Sequence, residues 1–136
     1  ANSSAFSKGL QPPSILLYVE EAHNILPAGD KQESENTWIQ VAKQGSKFGV
    51  GMVYSTQEIT AIHKSILSQT GNFFINYINN KNELRVLSDY LDFEDFIPSI
   101  AISQDVGFSR IRTRSMPFTV PCQIGKYVVQ NTQPKP

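Results

Sequence analysis

A run of five apolar residues that ends in two carboxylates constrains the fold of this chain more than any other feature. Ile15 to Val19 are continuously apolar, and Glu20 and Glu21 follow without a gap. A short unbroken apolar run is consistent with a strand buried on both faces of a parallel sheet. Open α/β sheets bind ligands beyond the carboxyl ends of their strands, where these two acids would lie. The segment therefore predicts a buried strand that delivers acidic groups to a ligand site.

Strand and helix patterns alternate along the rest of the chain. Capping-box patterns at Asp30–Glu33 and Asn80–Glu83 mark the starts of two helices, the first running to about Ser46. Such alternation favours parallel βαβ units, so the sequence predicts an α/β fold. The other predicted elements are strands at residues 48–55, 72–78, 105–114 and 118–124, a helix capped at Thr56 or Thr60, and an amphipathic turn that stops at Pro98.

Length and composition limit the class of protein. The 136 residues fit one domain or part of one, and their zero net charge gives no global signal for nucleic acid. A single cysteine, Cys122, excludes an internal disulfide and favours a reducing, cytoplasmic setting. No apolar run approaches the roughly 18 residues that span a bilayer, so we expect no membrane partner. Residues 1–13 are interpreted as a linker, 14–129 as the domain and 130–136 as a flexible tail.

Two interpretations of the tandem acids stay open on the residues alone. One is a strand end whose solvated acids lead into a loop. The other is the Walker B strand of an ATPase, in which Glu20 holds Mg²⁺ through water and Glu21 reaches the hydrolytic water. Because successive strand side chains point to opposite faces, the acids share one site only if the chain turns there. The chain contains no G-x-x-x-x-G-K-[ST] phosphate-binding loop.

A glutamine at the end of the second predicted strand extends the pattern. Gln57 closes Ser55-Thr-Gln, which taken alone is more often a helix cap than a functional group. On a strand that lies near the first one, Gln57 would touch the γ-phosphate or the attacking water and report the nucleotide state.

The order of these motifs resembles the HerA/FtsK superfamily of hexameric DNA-pumping ATPases, and the HerA branch in particular. The resemblance covers roughly residues 14 to 125. It implies a RecA-like P-loop NTPase fold, a three-layer α/β architecture of mostly parallel strands with helices on both faces, of which this chain is the C-terminal portion. The matching segments are Tyr18-Val-Glu-Glu-Ala-His-Asn24, Ala42-Lys-Gln-Gly-Ser-Lys-Phe-Gly-Val-Gly51, Met52-Val-Tyr-Ser-Thr-Gln57 and Leu67-Ser-Gln-Thr-Gly-Asn-Phe-Phe-Ile75.

The resemblance also implies roles for individual residues, with ATP and Mg²⁺ as cofactors. Glu20 takes the place of the Mg²⁺-side acid, Glu21 that of the catalytic base and Gln57 that of the sensor. His23 matches the histidine of the motif, but the resemblance implies no chemical role for it. We expect His23 to be a packed or hydrogen-bonded loop residue.

One position departs from the resemblance. In many relatives an arginine follows the glycine equivalent to Gly45 and reaches the nucleotide of a neighbouring subunit, whereas this chain has Ser46. A serine cannot supply the planar, permanently charged fork of an arginine. Lys43 and Lys47 are candidates to replace it, and the alternative is that both are solvated lysines at a helix end.

Three arginines alternate along a later strand. Arg110, Arg112 and Arg114 would all lie on one face of it. Three interpretations stay open: a solvated face, a nucleotide or subunit-interface contact that replaces the missing arginine, and a DNA contact.

The resemblance implies that the complete protein is a homo-oligomer, a hexameric ring, that hydrolyses ATP to pull double-stranded DNA. Such motors commonly act with a partner nuclease or another effector. Because the phosphate-binding loop is absent, we expect the isolated chain to be inactive, and its sensor strand to self-associate or be disordered at an unpaired edge. The alternatives are a non-catalytic assembly module with an ATPase-derived fold, and a conjugation or secretion motor.

Overall fold

The structure is a computed structural model that describes residues 14–26, 36–91 and 93–127. The expected linker, the expected tail from residue 130 and the capping box at Asp30–Glu33 lie outside these ranges. The strands are β1 (Ile15–Val19), β2 (Val50–Tyr54), β3 (Phe73–Ile75), β4 (Phe108–Thr113) and β5 (Met116–Gln123), and the α-helices are α1 (Thr37–Gln44), α2 (Lys64–Gln69), α3 (Lys81–Leu91) and α4 (Ile97–Ile102). Short 3₁₀ turns cover Ala22–Asn24, Gly45–Phe48, Ile59–Ala61 and Glu94–Phe96.

The two strands predicted to carry the site are neighbours. β1 and β2 pair in parallel, with Ile15 opposite Val50 and Val19 opposite Tyr54. Burial is one-sided, because Val19 is buried while Leu16 and Tyr18 are 70% and 63% exposed. The expectation that this strand is buried on both faces is therefore corrected within the described residues.

Helix α1 begins at a cap that the sequence analysis did not single out. The Asn36 side chain accepts hydrogen bonds from the Trp38 and Ile39 amides at 2.9 and 3.4 Å. The α-helix ends at Gln44 and continues as a 3₁₀ turn, so the expected end near Ser46 falls inside that turn. Gly45 is required here because a Cβ on it would lie 2.7 Å from the Val50 carbonyl oxygen.

The helix expected after Gln57 is broken into two pieces. A 3₁₀ turn covers Ile59–Ala61, and α2 starts only after His63, whose Nδ1 accepts a hydrogen bond from the Ser65 amide at 3.1 Å. Ile62 has an extended backbone with ψ of 133°, which separates the pieces. The cap of α2 is therefore His63, and neither Thr56 nor Thr60 starts an α-helix.

The capping box expected at α3 is only half formed. Asn80 Oδ1 accepts from the Asn82 amide at 2.9 Å, as a cap does. Glu83 is buried and turns instead to Thr60, whose amide donates to Glu83 Oε2 at 3.0 Å and whose hydroxyl donates to Oε1. The tertiary contact of Glu83 with the turn at Ile59–Ala61 therefore replaces the contact with the start of α3 that a capping box would make.

The last three strands form an antiparallel sheet in the order β3-β4-β5. The expectation of mostly parallel strands thus holds for the first pair and not for these. A two-residue turn at positions 114–115 joins β4 to β5, and strands joined so closely pair antiparallel. Pro98 lies in the first turn of α4, where a missing amide hydrogen is tolerated, so it helps to begin a helix rather than to stop one.

One hydrophobic core joins these elements. It contains side chains from the end of β1, from all four α-helices and from β3. Its most buried large side chains are Ile39, Ile66, Leu87, Phe93 and Ile100, each 1% exposed or less. The described residues therefore form an α/β core, in agreement with the predicted class. Among them, no helix has both the length and the apolar character needed to cross a membrane.

Candidate active site at the carboxyl ends of the parallel strands

Backbone hydrogen bonds hold the two strand ends together beyond the strands themselves. The Ser55 amide donates to the Val19 carbonyl, and the Ala22 amide donates to the Ser55 carbonyl, each at 2.9 Å. The parallel ladder therefore continues past Val19 and Tyr54. It brings the turn that carries Glu21 beside the loop that carries Gln57.

Glu21 has an unusual backbone. With φ of 48° and ψ of 49° it is left-handed, the one non-glycine residue with positive φ among the described ranges. This conformation costs of order 1–3 kcal/mol for such a residue and is often found at functional sites. The alternation of side chains between the two faces of β1 therefore ends directly after Glu20. The chain turns there, as it must if the two acids are to share one site.

Glu21 and Gln57 meet across the two strands. Gln57 Nε2 donates to Glu21 Oε1 at 3.1 Å, although the residues are 36 positions apart in the chain. The Glu21 side chain is 52% exposed, so solvent reaches its carboxylate. A solvent-accessible carboxylate held by an amide at a strand end can accept a proton from a water molecule.

His23 is packed and hydrogen-bonded, as expected, and it also takes part in this cluster, which was not predicted. Its Nε2 lies 3.4 Å from Glu21 Oε2, and its Nδ1 lies 3.2 Å from the Thr56 hydroxyl. The ring is mostly buried, with 16% of the side chain exposed. The sequence signal was its position two residues after Glu21, and the partner Thr56 on another strand end was not evident from spacing.

Glu20 lies beside this cluster with a different partner. It is exposed, and the Tyr18 hydroxyl lies 3.5 Å from its Oε1, a long distance for a hydrogen bond. Mg²⁺ keeps several waters and is commonly held by one or two carboxylates together with substrate phosphates. An exposed strand-end carboxylate fits that mode. Within the described residues, no group of three or more histidine, cysteine or acidic side chains forms a metal cage.

The candidates for the missing arginine lie at the other end of the sheet. Lys43 is in the last turn of α1, and Ser46 and Lys47 are in the 3₁₀ turn before β2; all three are exposed. Parallel strands start at a common edge, so these residues are separated from Glu21 by the length of β2, roughly 15 Å. Within one chain they do not join the acid cluster.

The contacts of Arg110 differ from each of the three interpretations left open for it, the nucleotide contact included. Its side chain is fully buried, and it donates through Nε to the Ser99 hydroxyl at 3.2 Å and through Nη2 to the Ser99 carbonyl. The guanidinium also lies 4.6 Å from the centre of the Phe108 ring. Burial lowers the pKa of Arg110. Arg112 is partly buried opposite Phe73, so the three arginines do not form one solvated face.

Comparison with known protein sequences finds relatives that match part of the chain. No family model matches the chain. It is 40% identical over 62 residues to a probable DNA double-strand break repair helicase HerA of Methanocaldococcus jannaschii, covering 45% of the chain and 12% of that protein. It is 33% identical over 104 residues to the HerA helicase of Saccharolobus solfataricus, covering 74% of the chain and 20% of that protein. The chain thus spans a fifth or less of these relatives.

Solved structures give the fold. The chain is similar to the genome packaging NTPase B204 of Sulfolobus turreted icosahedral virus 2 in complex with ATP-gammaS, with a TM-score of 0.67 at 18% identity, covering 86% of the chain and 53% of that protein. The AMP complex of the same NTPase gives a TM-score of 0.65, covering 78% and 50%. The chain therefore has part of a P-loop NTPase fold, about half of that protein's length.

Proposed function

We propose that this chain, a partial relative of the HerA helicases with part of a P-loop NTPase fold, carries hydrolysis groups of an ATP-driven double-stranded DNA translocase. One observation carries the proposal: the Glu21 carboxylate and the Gln57 amide, from neighbouring parallel strands, lie 3.1 Å apart. Sequence similarity to DNA repair helicases and structural similarity to an NTPase seen with nucleotides support the assignment.

In this proposal each side chain has a separate task. Glu21 orients and deprotonates the attacking water, and Gln57 senses the nucleotide by exchanging its contact with Glu21 for one with bound ligand. Glu20 holds the magnesium shell from the exposed strand end. When bound, Mg²⁺ supplies stabilisation of the charge that develops on the phosphoryl oxygens.

The groups that cradle the phosphates are not in this sequence. Phosphate binding uses backbone amides at a helix N-terminus together with a lysine, and the chain has no G-x-x-x-x-G-K-[ST] loop. We propose that the complete protein supplies them, so that the 136 residues alone do not turn over ATP.

Subunits would complete the site in a ring. Lys43 or Lys47 lies at the far end of the sheet from Glu21. In a ring, one of them would contact the nucleotide of a neighbouring subunit, in place of the arginine that many relatives have at the position of Ser46. A hexameric assembly on double-stranded DNA in the cytoplasm, with a partner nuclease or other effector, belongs to the same proposal.

Replacement of Glu21 by glutamine tests the function in the complete protein. Removing a general base lowers turnover by about 10²- to 10⁴-fold, so we expect DNA-stimulated phosphate release to fall by that factor while ATP is still bound. Glu94→Gln, at an exposed glutamate outside the site, is the matched control. Wild-type turnover in Glu21→Gln would contradict the proposal, and turnover by the isolated chain would contradict its incompleteness. A complete protein without ATPase activity would favour the assembly module instead.

A further inference from the structure

Both oxygens of the Glu21 carboxylate have a nitrogen partner. Gln57 Nε2 donates to Oε1 at 3.1 Å, and His23 Nε2 lies 3.4 Å from Oε2. An exposed glutamate ordinarily samples several rotamers, because three rotatable bonds separate its carboxylate from the backbone. Two partners that approach different oxygens restrict both the position and the rotation of the carboxylate.

The second nitrogen of His23 is anchored to the opposite strand end. Nδ1 lies 3.2 Å from Thr56 Oγ1, in the residue that directly precedes Gln57. Thr56 is itself fixed, because its oxygen accepts from the Glu58 amide at 3.0 Å and lies 3.2 Å from the Glu58 carbonyl. The imidazole therefore bridges the acid turn and the glutamine loop.

Two proton placements on the ring give His23 an attractive contact with Glu21. In the neutral ring with hydrogen on Nε2, Nδ1 accepts from the Thr56 hydroxyl, and the polar Nε2–H lies beside the Glu21 carboxylate at a nitrogen–oxygen distance of 3.4 Å, an electrostatic contact. In the charged ring Nδ1 donates to Thr56 Oγ1, the Thr56 hydroxyl turns to the Glu58 carbonyl, and the ring forms an ion pair with the carboxylate. The remaining neutral tautomer would aim a lone pair at a carboxylate and is disfavoured by repulsion between the two acceptors.

We propose that His23 is a positioning residue that fixes the direction of Glu21 and ties it to the loop of Gln57 through Thr56. The inference rests on the proposed role of Glu21 as the base. The contact is at a partly exposed carboxylate, where ion pairs contribute little to stability. The role of His23 therefore appears in the rate of hydrolysis rather than in the stability of the fold.

Nuclear magnetic resonance of the histidine rings tests the contact independently of activity. The chain has two histidines, so the ¹⁵N ring signals of His23 are identified by their loss in His23→Gln. We expect Glu21→Ala to shift the His23 ring nitrogens and to leave those of His63 unchanged, because His63 is bound to the Ser65 amide. Glu94→Ala is the control. Unchanged His23 signals in Glu21→Ala would overturn the proposal.

Kinetics of the complete protein test the positioning role. Loss of a group that orients a functional side chain typically costs 10- to 100-fold in activity. Glutamine places its amide nitrogen near the position of Nε2 and so keeps a polar hydrogen beside Glu21, whereas asparagine reaches only the position of Nδ1. We expect the kcat for ATP hydrolysis to fall by about 10- to 100-fold in His23→Asn, with KM for ATP unchanged, and to be partly restored in His23→Gln.

The control variant is His63→Asn, which keeps an acceptor at the cap of α2 and should retain the wild-type kcat. Thermal unfolding confirms that each variant is folded. Wild-type kcat in His23→Asn, with turnover lost in Glu21→Gln, would overturn the positioning role and leave the proposed function intact. Full turnover in Glu21→Gln would overturn both, while the ring signals would still report whether the contact exists.

Discussion

Tyr54 links the end of β2 to helix α2 through a single hydroxyl. Its oxygen lies 2.8 Å from that of Thr70, and the Thr70 hydroxyl donates to the Ile66 carbonyl at 2.9 Å. Because the Thr70 hydrogen is engaged there, the Tyr54 hydroxyl is the donor between them. Burial raises the pKa of Tyr54, and the bond with Thr70 partly opposes this because Thr70 can turn to donate to the phenolate.

The raised pKa predicts how stability depends on alkaline pH. Above pH 10.0, the usual pKa of tyrosine, the unfolded chain loses this proton while the folded chain keeps it, so Tyr54 lowers the free energy of unfolding as pH rises. We expect Tyr54→Phe to be less stable near pH 8 by about 1 kcal/mol, through loss of one hydrogen bond. The deficit should narrow above pH 10, as measured by urea unfolding.

Exposed Tyr127 supplies the control, because Tyr127→Phe should leave the pH dependence unchanged. A deficit in Tyr54→Phe that stays constant from pH 8 to pH 11 would contradict the assignment.

At the scale of elements, Glu83 joins helix α3 to the turn that follows the Gln57 loop. Its buried carboxylate accepts from both the amide and the hydroxyl of Thr60. Thr60 lies three residues after Gln57, so this contact fixes the far side of the loop while β2 fixes the near side. The sequence pattern correctly indicated an acid at the third position of α3, but its partner depended on how two distant elements pack.

Glu83→Ala tests this link. Hydrogen bonds to charged groups contribute about 1.5–3 kcal/mol, so we expect the free energy of unfolding to fall by about 2 kcal/mol in urea titration. Glu94→Ala, at an exposed glutamate, should change it by less than about 0.5 kcal/mol. Equal unfolding midpoints for the two variants would show that the Glu83 contact does not stabilise the fold.

At the scale of the whole molecule, one face of the parallel sheet is apolar and exposed to solvent within the described residues, and we call it the bare face. In the described residues this face is formed by Leu16 beside Gly51 and Tyr18 beside Val53, with exposures of 70% for Leu16, 63% for Tyr18 and 46% for Val53. Parallel sheets are normally covered on both faces. In addition, β2 pairs with β1 alone within the described ranges, which leaves its other edge open.

The bare face and open edge predict that the chain self-associates. Sedimentation velocity should show concentration-dependent association, weakened about tenfold or more by Leu16→Lys or Val53→Lys, because a charge on such a surface opposes pairing. Val106→Lys, at a position 95% exposed elsewhere, is the control. A chain that stays monomeric at every concentration tested would remove the prediction of self-association.

Much of the architecture followed from local patterns. The apolar run before Glu20 and the leucine stripe of α3 are read from residues a few positions apart, and the structure has a strand and a helix there. The break at Ile62 was not predicted, and Pro98 was expected to end a turn but lies in the first turn of α4, because both features depend on how the flanking segments pack. The relationship to HerA helicases came from the order of motifs and is supported by 33% identity over 104 residues.

The sequence by itself determined the α/β class and the residue types at the strand ends, since strand and helix periods are properties of neighbouring residues. Only the tertiary structure decided that Glu21 adopts a left-handed turn, that His23 lies against it and that Arg110 is buried. These outcomes depend on strand register and packing between segments dozens of residues apart, which no local period encodes. For the same reason, the sequence predicted only that Gln57 lies near the strand that carries the acids, and the 3.1 Å hydrogen bond from Gln57 to Glu21 is evident only in the fold.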